Sequence, residues 1–153
     1  MADDFKMIAK NRRARFEYTI VETLEAGLVL VGTEVKSLRQ GQVSLRDGYA
    51  HIKNGELWLE NVHINPYPFA HHGNHEPLRG RKLLVHKQEL KRLIGKVTER
   101  GYSLIPLSFY FKGGRAKVQL GLGKGKKTVD KRRAIRERLE SREMARALRR
   151  EEE

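Results

Sequence analysis

Residues 102–123, YSLIPLSFYF followed by Lys112, a Gly113-Gly114 pair and RAKVQLGLG, constrain the fold more than any other stretch. Leu107, Phe109 and Phe111 alternate with Ser108, Tyr110 and Lys112, the period of a strand with one face turned to a core. Two glycines between alternating runs predict a tight hairpin. Pro106 cannot donate to a ladder, so an edge or a bulge is expected near the start of the first strand. A second hairpin is predicted in YAHIKNGELWLENVHI, where Asn54-Gly55 supplies the left-handed turn residues and Leu57 and Leu59 alternate with Trp58 and Glu60.

The rest of the first 122 residues fits around these hairpins. FEYTIVETLEAGLVLVG, residues 16–32, reads as strand, turn, strand, with the break near Glu25-Ala26-Gly27. TEVKSLRQ is a short helix in which Val35 and Leu38 share a face, Lys36 and Arg39 point elsewhere, and Gly41 ends it. Residues 65–80 are a loop punctuated by Pro66, Pro68 and Pro77, and RKLLVH restarts ordered structure. Leu90, Leu93, Ile94 and Val97 follow the i, i+3, i+4, i+7 template of an amphipathic helix that Gly101 stops. Strands in hairpins, with no strand–helix–strand series, predict a mainly β chain with short helices, built as a small closed antiparallel barrel. Residues 1–15 are expected to be a loose basic arm, residues 16–122 the barrel, and residues 123–153 a basic tail with a helix over about 130–150.

Charge narrows the function. The 153 residues hold 32 Lys and Arg against 19 Asp and Glu, a net of +13, which favours a polyanionic partner. No apolar run approaches the roughly 18 residues of a spanning helix, and MADDFKMIAKNRRAR has no apolar signal stretch. The absence of cysteine excludes disulfides and thiolate zinc sites and is compatible with a cytosolic protein. Residues 79–100 carry eight basic side chains (Arg79, Arg81, Lys82, Lys87, Lys91, Arg92, Lys96 and Arg100) against Glu89 and Glu99. Composition alone does not choose between a solvated helix face and an RNA-binding face here, nor in the arm Asn11-Arg12-Arg13-Ala14-Arg15.

Enzymatic signals are poor. GLGKGKKT fails the Walker A spacing, because five residues after Gly121 stands Lys126, and it lacks the third glycine of a dinucleotide fingerprint. His71, His72 and His75 sit in a proline-flanked loop without a nearby thiolate or helix, which favours a solvated or RNA-facing loop over a metal site. No Ser/His/Asp set or acid/base carboxylate pair stands out. The expectation is a protein without catalytic residues, metal or cofactor.

The tail is more informative. Advancing 100° per residue from Ile135 puts Lys131, Arg132, Arg138, Arg142, Arg146, Arg149 and Arg150 within about 60° of it. Glu137, Glu140 and Glu143 fall on one flank, and Met144 and Leu148 near the far side, so no continuous apolar stripe exists. Stacked arginines repel at i, i+4, so such segregation makes sense where a polyanion neutralises the basic face. The expected behaviour is a tail largely unfolded alone and helical on RNA, with Asp130 as N-cap; the alternative is a disordered solubility tail.

Four blocks carry a resemblance: NRRARFEY, EAGLVLVGTEVKSLRQG, RKLLVHKQELKRLIGKV and GKGKKTVDKRR. In order and spacing, from about residue 11 to 136, the chain resembles the SmpB family, the SsrA-binding proteins of bacterial trans-translation. The resemblance implies an OB-like barrel that binds the tRNA-like domain of tmRNA and escorts it to stalled ribosomes in the cytoplasm. It implies a monomer in the RNA complex, a tail inserted into the decoding region and empty mRNA channel, and no catalysis. For the barrel and arm it points to Asn11, Arg13, Arg15, Glu25, Lys36, Arg39, Lys82, Leu84, His86 and Lys87. For the tail it points to Lys124, Lys126, Lys127, Asp130, Lys131, Arg132 and Arg133, and the basic character of the tail helix adds Arg136, Arg138, Arg142 and Arg146 as candidates for ribosome or RNA contact. Lys82 suits a phosphate, and Asn11 and His86 suit sugar or base edges. Leu84 suits either an unstacked base or the core, and Glu25 either accepts from base amino groups or orients an arginine. The position before Asp130, usually aromatic or His in the family and suited to stacking, is Val129, which offers at most an apolar contact.

Overall fold

Gly113 and Gly114 take φ of +60° and +75°, so the turn that joins the strands Ser103–Lys112 and Arg115–Gly125 uses a backbone region that side chains disfavour. The computed structural model describes residues 5–126 and 128–152. In chain order its elements are β1 (Phe5–Lys10), α1 (Ala14–Glu17), β2 (Tyr18–Leu28), α2 (Gly32–Arg39), β3 (Val43–Ser44), β4 (Tyr49–Lys53), β5 (Glu56–Glu60) and β6 (His63–Ile64). There follow β7 (Arg81–Leu84), α3 (Lys87–Arg100), β8 (Ser103–Lys112), β9 (Arg115–Gly125) and α4 (Thr128–Glu152). The main sheet is antiparallel in the order β1-β8-β4-β5-β7-β2-β9, and β9 also pairs with β8, so the sheet curls round one core. The fold is mainly β with short helices, as the hairpin pattern predicts, followed by the 25-residue helix α4.

The core follows from alternation. Leu57, Leu59, Leu83, Leu104, Phe109, Val118, Leu120 and Leu122 point inward and are buried. Leu38 of α2 and Leu93 of α3 join the same cluster, each side chain contributing about 1.5–3 kcal/mol by leaving water. Leu90 and Val97 pack partly against it. Gly101, at φ +68°, ends α3 in the left-handed conformation.

The structure differs from the sequence reading in five places. Residues 5–10 are not a loose arm: they form β1, which pairs with β8 from Phe5↔Lys112 to Lys10↔Ser108. The break expected at Glu25-Ala26-Gly27 is absent. Tyr18 to Leu28 is one strand, because Ala26 is needed inside the core and Gly27 stands where β2 pairs with both β9 and β7. Leu107 does not share a face with Phe109 and Phe111. The register shift between Pro106 and Ser108 reverses parity, so Leu107 joins Ala14 and Ile105 in a second, outer cluster flanked by Tyr18 and Ile20. The glycine-lysine stretch 123–125 is not the start of the tail but the end of β9, paired to Tyr18, Thr19 and Ile20. A Cβ on Gly123 would lie 2.8 Å from the Thr19 carbonyl oxygen, so close strand approach demands that glycine. Finally, α4 starts at Thr128, which places Asp130 inside the first turn and not at the cap.

Candidate nucleic-acid interface

Along β7 the pleat turns Arg81 and Leu83 inward and Lys82 and Leu84 outward. This removes the core reading of Leu84, which is 54% exposed while Leu83 fills the core. Gly27 of β2 is paired with Leu84, and Glu25 lies two residues along on the same outer face. His86 follows β7 and caps the amino end of α3 with extended backbone, exposed like its neighbour Lys87. A shallow groove of about 580 Å³ therefore gathers Glu25, Leu84 and His86, with Thr23, Arg92 and Lys117 on its walls. Lys82 stands on the same face of β7 with its Nζ 3.4 Å from Glu56. Four residues scattered over 62 positions of sequence are brought together by the β2–β7 pairing.

Glu25 is held from one side. The Tyr110 hydroxyl donates to Glu25 Oε2 at 2.5 Å, and Lys112 Nζ lies 3.6 Å from the same oxygen. Burial first, and the bond to Glu25 second, push the Tyr110 phenol well above its ordinary value, so it stays a donor. The alternation in β8 placed Tyr110 on the face away from the core, but nothing in the sequence paired it with a residue 85 positions away.

Other predicted residues lie elsewhere. The Asn11 side-chain amide donates to the Leu45 and Pro106 carbonyls at 3.3 and 3.1 Å, tying α1's approach to β8. Arg13 and Arg15 are exposed beside it. Lys36 and Arg39 are exposed on α2, over the Tyr67 ring at 5.4 Å and the Phe111 ring at 5.8 Å. Lys124 lies on β9 with Nζ 4.8 Å from the Tyr102 ring centroid. The Lys126 backbone N–H donates to the Glu17 carbonyl at 2.7 Å, which fixes where the tail leaves the barrel. Arg132, Arg133, Arg136, Arg138, Arg142 and Arg146 are exposed on α4, as are Ile135, Leu139, Met144 and Leu148. Lys127 lies outside the described residues, and so do the side chains of Val129, Asp130 and Lys131.

The basic run 79–100 divides once it is folded. Arg81 is fully buried: its Nε bonds Glu34, and its other nitrogens donate to the Val62 and Pro77 carbonyls at 2.7 and 3.0 Å. Arg79 donates to the other Glu34 oxygen at 2.5 Å. Burial alone would push the Glu34 carboxyl up, but Arg79, the Val31 N–H and Arg81 together hold it below the usual carboxylate range. Arg92 and Lys96 both bond Glu22 of β2, Lys96 at 2.7 Å, and lower its carboxyl in turn. Four of the eight cations thus serve the fold. His75 is buried as well: Nδ1 is 2.8 Å from the Thr33 hydroxyl, and Nε2 is 2.9 Å from the Ile64 carbonyl oxygen. Its ring pins the 65–80 loop. Among the described residues no group of three potential ligands is arranged to hold a metal ion, and no helix is long and apolar enough to cross a membrane.

The family model described as SmpB protein matches residues 8–150. The chain belongs to the SmpB family. An SsrA-binding protein of Thermosynechococcus vestitus is 56% identical over 149 residues, covering 97% of this chain and 98% of the relative. One from Desulforudis audaxviator is 60% identical over 144 residues, covering 94% of each. Among solved structures, a chain described under "tmRNA-SmpB: a journey to the center of the bacterial ribosome" is 52% identical with a TM-score of 0.67, covering 80% of this chain and 87% of that one. SmpB membership therefore extends over the barrel and most of α4 alike.

Proposed function

We propose that this protein is a non-catalytic adaptor of ribosome rescue, binding the tRNA-like domain of tmRNA and delivering it to stalled ribosomes for trans-translation. The observation that carries this reading is the likeness, over nearly the whole chain, to SsrA-binding proteins. The outer face of β2 and β7 offers the right chemistry for loop RNA: Lys82 for a phosphate, Leu84 for an unstacked base, and Glu25 and His86 for base or sugar edges. Asn11, Arg13, Arg15, Lys36, Arg39 and Lys87 extend the contact from neighbouring surfaces. In this reading the protein works as a cytoplasmic monomer on the RNA, without metal, cofactor or membrane.

The tail reading is that α4 enters the decoding region and the vacant mRNA channel. Lys124, Lys126 and Lys127 lead into it, Asp130, Lys131, Arg132 and Arg133 form its first turns, and Arg136, Arg138, Arg142 and Arg146 follow the channel. Support comes from the basic side chains that α4 exposes and from their single ion pair among the described residues, Arg133 with Glu137 at 3.3 Å.

Truncation after Lys126 tests both halves, since it spares β9, which runs to Gly125. The truncated protein is expected to keep tight binding to the tRNA-like domain and to lose tagging of stalled peptides. Loss of RNA binding on truncation would reduce the tail to a nonspecific anchor and overturn the two-part reading. Circular dichroism of a peptide of residues 128–153 should show little helix alone and a gain on RNA, because its like charges repel. Full helicity without RNA would remove the coupling of folding to binding.

A further inference from the structure

We infer that Tyr110 is a positioning residue for Glu25: with Lys112 it fixes one carboxylate oxygen, so that the other is presented to an N–H donor on an exposed base edge. The inference rests on the proposed reading of the β2–β7 face as an RNA-binding surface.

The geometry reaches across three strands. Glu25 of β2 pairs with Gln119 of β9, and Tyr110 of β8 pairs with Lys117 of β9, so β9 lies between them. Gln119 and Lys117 share one parity, while Val118 between them is fully buried. Glu25 and Tyr110 therefore meet over the outer surface of β9. A tyrosine facing outward would ordinarily be wet, yet Tyr110 is only 7% exposed, because Phe5 of β1 covers it with ring centroids 5.0 Å apart. Packing alone would be served by phenylalanine. A hydroxyl kept under that lid needs a partner, and its partner is Glu25 Oε2.

The consequence lies in the second oxygen. Among the described residues Glu25 Oε1 has no hydrogen-bond partner, and Glu25 itself is exposed at the rim of the groove that holds Leu84 and His86. A carboxylate anchored through one oxygen has lost most of its rotamer freedom before the RNA arrives, so binding loses less entropy in ordering it. An ionised carboxylate accepts and does not donate. Its free oxygen therefore favours exocyclic amino or imino N–H groups of an unpaired base and disfavours phosphate. That gives an acidic residue a use on a face proposed to bind RNA.

A double-mutant cycle in the full-length protein, read as affinity for a transcript of the tRNA-like domain, tests this. Glu25→Ala is expected to weaken binding about tenfold or more, and Tyr110→Phe, which keeps the ring under Phe5, about three- to tenfold. In the Glu25→Ala background Tyr110→Phe should have no further effect, whereas with Leu84→Ala its loss should multiply. If Glu25→Ala leaves affinity unchanged, the reading of the face itself fails. If Glu25→Ala weakens binding and Tyr110→Phe weakens it again by the same factor in that background, Tyr110 acts independently and the positioning role is overturned. Should Tyr110→Phe not fold, Lys112→Met asks the same question of the same oxygen from an exposed site: a loss that disappears in Glu25→Ala supports the anchoring, and one that persists overturns it.

Discussion

Arg81 and Arg142 carry the same guanidinium and have opposite lives. Arg81 is enclosed beneath β7, every nitrogen bonded to Glu34 or to a carbonyl. Arg142 stands exposed on α4 among further arginines of its own face. The first arrangement satisfies a charge internally and spends it on fixing α2 against β7. The second leaves charge of one sign in water, where only an external anion can neutralise it. The comparison teaches that cation count says little about a binding surface until the carboxylates that the fold brings up are subtracted. Glu34 and Glu22, one in α2 and one in β2, remove four cations from the basic run 79–100.

The largest expected effect breaks the buried side of the comparison. Glu34→Ala strands Arg81 without its counter-ion and should cost about 3–5 kcal/mol in urea unfolding, against no measurable change for Arg142→Ala. Next is pH. The carboxyls of Glu34 and Glu22 are lowered in the folded chain, so they favour the fold at neutral pH, above their unfolded values. That contribution should be lost as pH falls below the unfolded glutamate range, about 4.3, towards the lowered folded values. The urea midpoint of the wild type should fall along that acid limb, and the fall should be shallower in Glu34→Gln.

On the exposed side, replacing Arg142 and Arg146 by alanine should leave the midpoint alone and reduce the salt dependence of ribosome binding by about one in logarithmic slope per contact removed. An unchanged slope would mean those arginines touch no phosphate. Leu84→Ser sharpens the same contrast within β7: as an exposed side chain it should weaken RNA binding with little loss of stability, whereas Leu83→Ser should unfold the protein. The smallest effect is expected for Arg92→Ala. It removes one half-exposed partner of Glu22 and leaves Lys96 in place, at about 0–1 kcal/mol by denaturant titration.

Local signals were strong where backbone conformation has a residue signature. Asn54-Gly55 and Gly113-Gly114 announced their turns, and Leu90, Leu93 and Val97 announced α3. They failed where a partner strand decides. Phe5 to Lys10 carries no clear alternation and becomes a strand because β8 has a free edge beside it. The bulge after Pro106 was foreseeable from the proline, but its reversal of parity for Leu107 was not, since that depends on α1 covering the outer face. Of the candidate site, Glu25, Lys82, Leu84 and His86 came from the resemblance of motifs. Tyr110 had no signal beyond being a polar-face tyrosine in a strand.

The sequence by itself determined a hairpin-built β domain, an excess of positive charge and a tail whose apolar residues form no stripe, because periodicity, turn chemistry and charge are local properties. Only the tertiary structure decided which cations remain available and which acidic residue faces outward with an anchored oxygen. The reason is that ion pairs and hydrogen bonds depend on distances between residues 45 to 85 positions apart, and only the pairing of strands and the packing of α2 against them set those distances.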